Sequence, residues 1–120
     1  RVDETGLAMV YANLVGGQDE LIFDGASFAI NAEGELTHQF DAFAETLGLI
    51  ELEGEEPVKG EIAPRQMLEM EVYKALCLGV KDYLGKNRLP GALLGLSGGV
   101  DSALTMAIAV DALVILTEGL

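Results

Sequence analysis

Cysteine occurs once in this chain, histidine once, and basic side chains only seven times against twenty acidic ones. A single thiol cannot build an internal disulfide framework and fits a reducing compartment, so a cytoplasmic location is expected. Cys77 sits at helical spacing from Tyr73, Val80 and Leu84, where a small apolar thiol packs rather than reacts. His38 falls in a hairpin strand with no second histidine and no nearby cysteine, which predicts a surface position rather than a metal or catalytic role. The net charge of −13 repels nucleic acid and anionic membranes, so neither is expected as a partner. No apolar run reaches the length of a membrane span, and the N-terminal residues show no signal-peptide pattern.

What is present is concentrated between Leu89 and Val110. Ala92 to Leu96 is a short apolar run bounded by Pro90 and Gly91, which predicts a buried strand of parallel type. It gives way to Ser97-Gly98-Gly99, and from Asp101 a helical pattern runs to about Leu113. Strand, glycine turn and helix in that order make an anion site. The glycines allow close backbone approach, and the helix start offers unpaired N–H groups and a positive dipole end. Ser97 and Ser102 add hydroxyls for phosphate oxygens. Asp101 suits such a site if a cation bridges it to the phosphate, so it is a candidate Mg²⁺ ligand. The bland alternative is a tight turn in which Asp101 or Ser97 merely caps the helix.

A lysine after the glycines is missing, so this is not a Walker loop, and the G-x-G-x-x-G spacing is absent too. The Ser97-Gly-Gly-Val-Asp-Ser102 segment instead resembles the S-G-G-x-D-S loop of the ATP pyrophosphatases, which cleave ATP between its α and β phosphates. That resemblance implies ATP binding by Gly95, Leu96, Ser97, Gly98, Gly99, Val100, Asp101 and Ser102, with Mg²⁺ on Asp101. It also implies a Rossmann-like α/β domain. Such a fold needs several more strands than the short tail after the helix can supply, so a fragment or a chain lacking internal segments is expected.

Residues 1–50 form a different unit. Leu7 to Val15 is a strand-like run ended by Gly16-Gly17, followed by Leu21-Ile-Phe23 and a turn at Asp24-Gly25. Phe28 and Ile30 share one strand face, Asn31-Ala-Glu-Gly34 is a hairpin turn, and Glu35 to Phe40 returns as the partner strand. Asn13, Gly16, Phe23, Gly25, Ser27 and Gly34 follow a pattern similar to the end of the nitrilase (carbon–nitrogen hydrolase) domain. More narrowly, Val10 to Phe28 looks like the corresponding part of glutamine-dependent NAD⁺ synthetases, in which a nitrilase-type glutaminase precedes an ATP pyrophosphatase domain. Asn13, Gly16 and Ser27 are read as turn formers and hydrogen-bond partners rather than catalytic groups. The glutaminase Glu, Lys and Cys implied by the resemblance would lie upstream of Arg1, so no catalytic residue is expected in this chain.

Between these regions, Glu51 to Glu61 holds five acidic residues, two glycines and a proline, the composition of a solvated linker. A helix is predicted from about Pro64 to Lys86, with an apolar stripe of Leu68, Val72, Ala75 or Leu76, Gly79 or Val80, and Tyr83 and stop signals at Gly85 and Asn87. Val114-Ile-Leu-Thr117 reads as a strand following Leu113 without a Gly, Pro or Asn between, so a missing connection is expected near residues 113–114.

The expected organisation is therefore α/β. Residues 1–50 close a nitrilase-like layered sandwich, 51–64 form an acidic linker, and 65–120 begin a Rossmann-like ATP pyrophosphatase domain. By resemblance, the activity is ATP-dependent amidation of nicotinic acid adenine dinucleotide (deamido-NAD) to NAD⁺, with ammonia from glutamine. ATP and Mg²⁺ are the implied cofactors, and a homo-oligomer is expected. The rivals are a GMP- or asparagine-synthetase type of amidotransferase and a non-catalytic scaffold module.

Overall fold

The computed structural model describes residues 1–118 and shows a mixed α/β chain. Gly119 and Leu120, the end of the expected 65–120 domain, lie outside the described residues. Backbone contacts divide the chain into two compact units, residues 1–15 with 23–66 and residues 16–22 with 67 onward.

The first unit opens with a one-turn helix, α1 (Val2–Thr5), and strand β1 (Met9–Tyr11). The apolar run expected as one strand to Val15 is interrupted at residues 12–14 and resumes as β2 (Val15–Gln18), paired with β3 (Leu21–Asp24). Hydrogen bonding causes the break. The Asn13 N–H donates to Ser27 Oγ at 2.9 Å, and the Leu14 carbonyl accepts from the Gly25 N–H at 3.0 Å. Neither group is then free for a ladder. Gly16 and Gly17 consequently lie inside β2 rather than ending a strand.

Strands β4 (Phe28–Ile30) and β5 (Leu36–Gln39) form the expected hairpin, and β1 pairs antiparallel on the other side of β4. At its turn, Asn31 Oδ1 accepts the N–H groups of Glu33 (3.1 Å) and Glu35 (2.9 Å), while Gly34 takes φ 85°. This is the local chemistry for which Asn and Gly are suited. Ala29 on the central strand is fully buried, and the Tyr11 and Phe28 rings stack with centroids 5.1 Å apart.

His38 is not a surface residue, contrary to expectation: it is 5% exposed. Its Nδ1 lies 3.0 Å from Thr37 Oγ1, and the Gly60 backbone covers its ring so closely that a Cβ there would sit 2.1 Å from Nε2. The cover comes from the acidic stretch, which is more than a solvated tether. It carries a small hairpin, β6 (Leu52–Glu53) with β7 (Glu56–Pro57), and then runs parallel to β5. The Gly60 N–H reaches the Thr37 carbonyl at 3.0 Å, and the Ala63 N–H reaches the Gln39 carbonyl at 2.8 Å. Most side chains of the stretch remain exposed, as its composition requires.

In the second unit, helix α2 (Leu68–Lys86) packs on helix α3 (Val100–Glu118). Helix α2 begins later than Pro64 because pairing with β5 holds residues 61–63, and a proline disfavours helical backbone in the residue before it. It stops where expected, with Asn87 Nδ2 donating to the Tyr83 carbonyl at 2.8 Å. The buried face is not the predicted stripe: Leu68 and Val72 are exposed, whereas Cys77 and Leu84 are buried together with Ile108 and Ala112 of α3. Helix α3 continues without interruption through the expected junction at 113–114, so residues 114–117 are its last turns and not a strand. With no breaker in the sequence, each added residue extends an existing ladder at little cost.

Ala92 to Leu96 forms no strand and is exposed, with Leu93 fully so. A strand needs a neighbour for its N–H and C=O groups, and the described residues place none beside this run.

Candidate functional site

The loop from Ser97 to Ser102 turns on Gly98, whose φ of 89° is a conformation that side chains with a Cβ rarely adopt. The turn folds the two serines together. Ser97 Oγ and Ser102 Oγ are 3.1 Å apart, the Ser97 N–H donates to Ser102 Oγ at 3.3 Å, and Ser102 Oγ donates to the Gly99 carbonyl at 3.1 Å. Since Ser102 spends its proton on Gly99, Ser97 is the donor of the hydroxyl pair. Both hydroxyls are thus tied within the loop, and donation to a ligand requires them to rotate.

Helix α3 starts at Val100, and its first backbone bond to the turn is Ala103 N–H to Gly99 O at 3.2 Å. The N–H groups of Val100, Asp101 and Ser102 have no acceptor among the described residues. They form the unsatisfied, electropositive start of a 19-residue helix. The Asp101 carboxylate is exposed and, among the described residues, neither caps this helix nor pairs with a cation. The capping alternative for Asp101 therefore lacks its hydrogen bond. Ser97 comes nearer to that role, its Oγ accepting the Gly99 N–H at the long distance of 3.5 Å.

Among the described residues no three His, Cys, Asp or Glu side chains gather as a metal cluster. A lone carboxylate beside free N–H groups still fits Mg²⁺ arriving with a polyphosphate, because that ion keeps its waters and takes few protein ligands. Gly95 and Leu96 are exposed on the approach to the turn.

The motif residues Asn13 and Ser27 of the first unit are engaged in hydrogen bonds. Asn13 Nδ2 donates to Asp24 Oδ1 at 3.0 Å, in addition to its backbone bond to Ser27, and Asn13 and Ser27 border a cavity of about 210 Å³ with Gly25 and Phe40. A broader cleft of about 880 Å³ lies between His38, Phe40, Leu49, Gly60 and Ile62. Cys77, the one thiol of the sequence, lines neither. Cys77 is buried on α2, and burial, with the Asp111 carboxylate nearby, pushes its thiol up from the usual range. Sequence reading gave no role to Asp82, which accepts the Gly17 N–H at 2.7 Å. Its Asp82-x-x-x-Lys86 spacing is visible in the sequence, but its partner is remote along the chain.

Residues 72–118 match the NAD synthase family model. The glutamine-dependent NAD(+) synthetase of Acinetobacter baylyi is 47% identical over 107 residues, covering 88% of this chain and 20% of that protein. That of Rhodobacter capsulatus is 47% identical over 118 residues, covering 94% of this chain and 21% of its own length. In structure, the chain is similar to the glutamine-dependent NAD+ synthetase of Acinetobacter baumannii in complex with ADP. The TM-score is 0.86 at 45% identity, over 92% of this chain and 22% of that one. The chain spans about a fifth of the length of the curated relatives it matches. The similarity carried by the two sequence motifs thus extends along nearly the whole chain.

Proposed function

We propose that this chain is the part of a glutamine-dependent NAD⁺ synthetase, a ligase, in which the glutaminase ends and the synthetase begins. On this reading, residues 1–50 close a nitrilase-like sandwich, 51–64 join the two, and 65–120 start a Rossmann-like ATP pyrophosphatase domain. The observation that carries it is the loop itself. Three N–H groups and a carboxylate without a partner among the described residues, and two paired hydroxyls, lie within the stretch from Ser97 to Ser102. The Acinetobacter baumannii relative, solved with ADP, supports a nucleotide as the ligand.

ATP would lie with its phosphates over Gly98 and Gly99, against the N–H groups of Val100, Asp101 and Ser102. Those donors take up charge as pyrophosphate departs, and their fixed orientation costs no reorganisation during the reaction. Mg²⁺, when bound, neutralises phosphate charge, and Asp101 would hold it. The carboxylate of deamido-NAD attacks the α-phosphorus, one P–O bond forms, and pyrophosphate leaves with the electrons of the other. Ammonia then attacks the adenylated carboxyl carbon, loses a proton and expels AMP, giving the amide of NAD⁺. The protein's chief contribution is to position the reactants. Residues for glutamine hydrolysis and for reading deamido-NAD are assigned to the rest of the protein. A cytoplasmic homo-oligomer goes with this reading.

The test is to supply full-length protein with ATP, Mg²⁺, deamido-NAD and either glutamine or ammonium. NAD⁺, AMP and pyrophosphate should appear in equal amounts with both nitrogen sources. ADP and phosphate in place of AMP and pyrophosphate, or no amidation of deamido-NAD, would overturn the proposal. The scaffold reading predicts no turnover with either source. The similarity to NAD⁺ synthetases weighs against the GMP- and asparagine-synthetase readings.

A further inference from the structure

The tip of the β2–β3 hairpin belongs to the second unit although the residues flanking it, Val15 and Phe23, belong to the first. The tip is gripped by the last turns of α2. The Gly17 N–H donates to Asp82 Oδ2 at 2.7 Å, and Lys86 Nζ donates to the Gly17 carbonyl. Lys86 and Asp82 also pair with each other at 3.7 Å. Both polar groups of one peptide residue are thus held by a carboxylate and an ammonium, which are charge-assisted bonds. The approach is close: a Cβ on Gly17 would meet the Asp82 Cβ and the Gly79 Cα, both at 3.3 Å, and they would have to give by a few tenths of an ångström. The Asp82 side chain is mostly shielded from solvent.

A hairpin can end in solvent with any turn sequence. This one instead hands its backbone to two charged side chains more than sixty positions away, on the helix preceding the nucleotide loop. We infer that Asp82 and Lys86 are positioning residues that latch the hairpin to α2, so that events on the glutaminase side reach the synthetase side through Gly17. The inference rests on the synthetase reading above. On this inference its loss shows in the ratio of the two reactions more than in the rate of either one.

The experiment uses the full-length enzyme with Asp82→Ala, Lys86→Gln and, as a conservative partner, Asp82→Glu. Three rates are compared: NAD⁺ synthesis from ammonium, NAD⁺ synthesis from glutamine, and glutamate release. For Asp82→Ala we expect ammonium-dependent synthesis near wild type. Glutamine-dependent synthesis should fall about fivefold or more, with glutamate released in excess of NAD⁺ formed. Lys86→Gln should show the same imbalance more mildly, and Asp82→Glu should restore part of it. Equal loss of all three rates, or no change in the ratio of glutamate to NAD⁺, would overturn the latch. If Asp82→Ala does not fold, the ratio in Lys86→Gln decides by the same criterion. Failure of wild type to make NAD⁺ from ammonium would instead overturn the underlying functional reading, while intact ammonium-dependent synthesis isolates the latch.

Discussion

Tyr73 on α2 donates its phenolic hydrogen to Asp111 Oδ2 on α3 across 2.6 Å. The bond joins the loop-bearing helix to its neighbour, beside the buried Cys77. Hydrogen bonding to that carboxylate, with some desolvation, pushes the Tyr73 phenol up from 10.0 to about 12. A raised phenol favours the neutral form in the folded state. Its stabilising contribution is therefore complete below the unfolded value and is lost as pH rises through about 12. The ultraviolet signal of tyrosinate, taken as wild type minus Tyr73→Phe, should titrate late, and Asp111→Asn should bring it back toward the ordinary value.

Asp101→Asn keeps the shape of the side chain and removes its charge. Because Asp101 makes no capping bond among the described residues, folding stability should hardly change. Ammonium-dependent NAD⁺ synthesis by the full-length protein should fall by about a hundredfold or more, with the Mg²⁺ requirement shifted upward. Glutamine hydrolysis should persist. Rates measured across a Mg²⁺ titration check this, and an unshifted titration with near-normal rates would reduce the loop to a simple turn.

Ser102 ties three parts of the loop, so Ser102→Ala should disturb it more than Ser97→Ala. Losing one such hydrogen bond costs about 1 kcal/mol, which predicts ATP binding weakened roughly fivefold. Gly98→Ala should be worse, since φ of 89° imposes about 1–2 kcal/mol of backbone strain on a residue with a Cβ. Nucleotide titration by calorimetry ranks the three.

Cys77 should behave as packing. Its raised thiol is neutral at ordinary pH, so alkylation should be slow in the native protein and fast after unfolding. Cys77→Ala should cost about 1 kcal/mol of stability and leave glutamine turnover unchanged in the full-length enzyme. Glutamate release and a thermal melt measure both sides.

Local signals were the legible ones. Asn31 with Gly34 and the Gly85–Asn87 stop act within a few residues, so the β4–β5 turn and the end of α2 could be placed from sequence. The turn at Ser97–Gly98–Gly99 was legible for the same reason, since Gly98 supplies the left-handed backbone it needs. Features that depend on remote partners were not. Ala92 to Leu96 has the composition of a strand but no neighbour to pair with among the described residues. His38 alternates with Leu36 and Phe40 on one strand face, a hint of burial, yet its cover is the Gly60 backbone from an acidic stretch that reads as solvated. The predicted stripe on α2 used the right period and the wrong face, because the choice was made by Ile108 and Ala112 on α3. The Gly17–Asp82 bond leaves no trace in local sequence at all.

The exposed run at Leu93, Leu94 and Leu96 has a consequence for anyone producing these 120 residues by themselves. An apolar segment with open N–H and C=O groups is a template for another chain, and identical segments stack most readily of all. The surplus of negative charge opposes self-association at low ionic strength, but salt screens it. Such a polypeptide should therefore stay dispersed in dilute buffer and turn fibrillar or cloudy as salt is added, starting from the segment next to the Ser97–Ser102 loop.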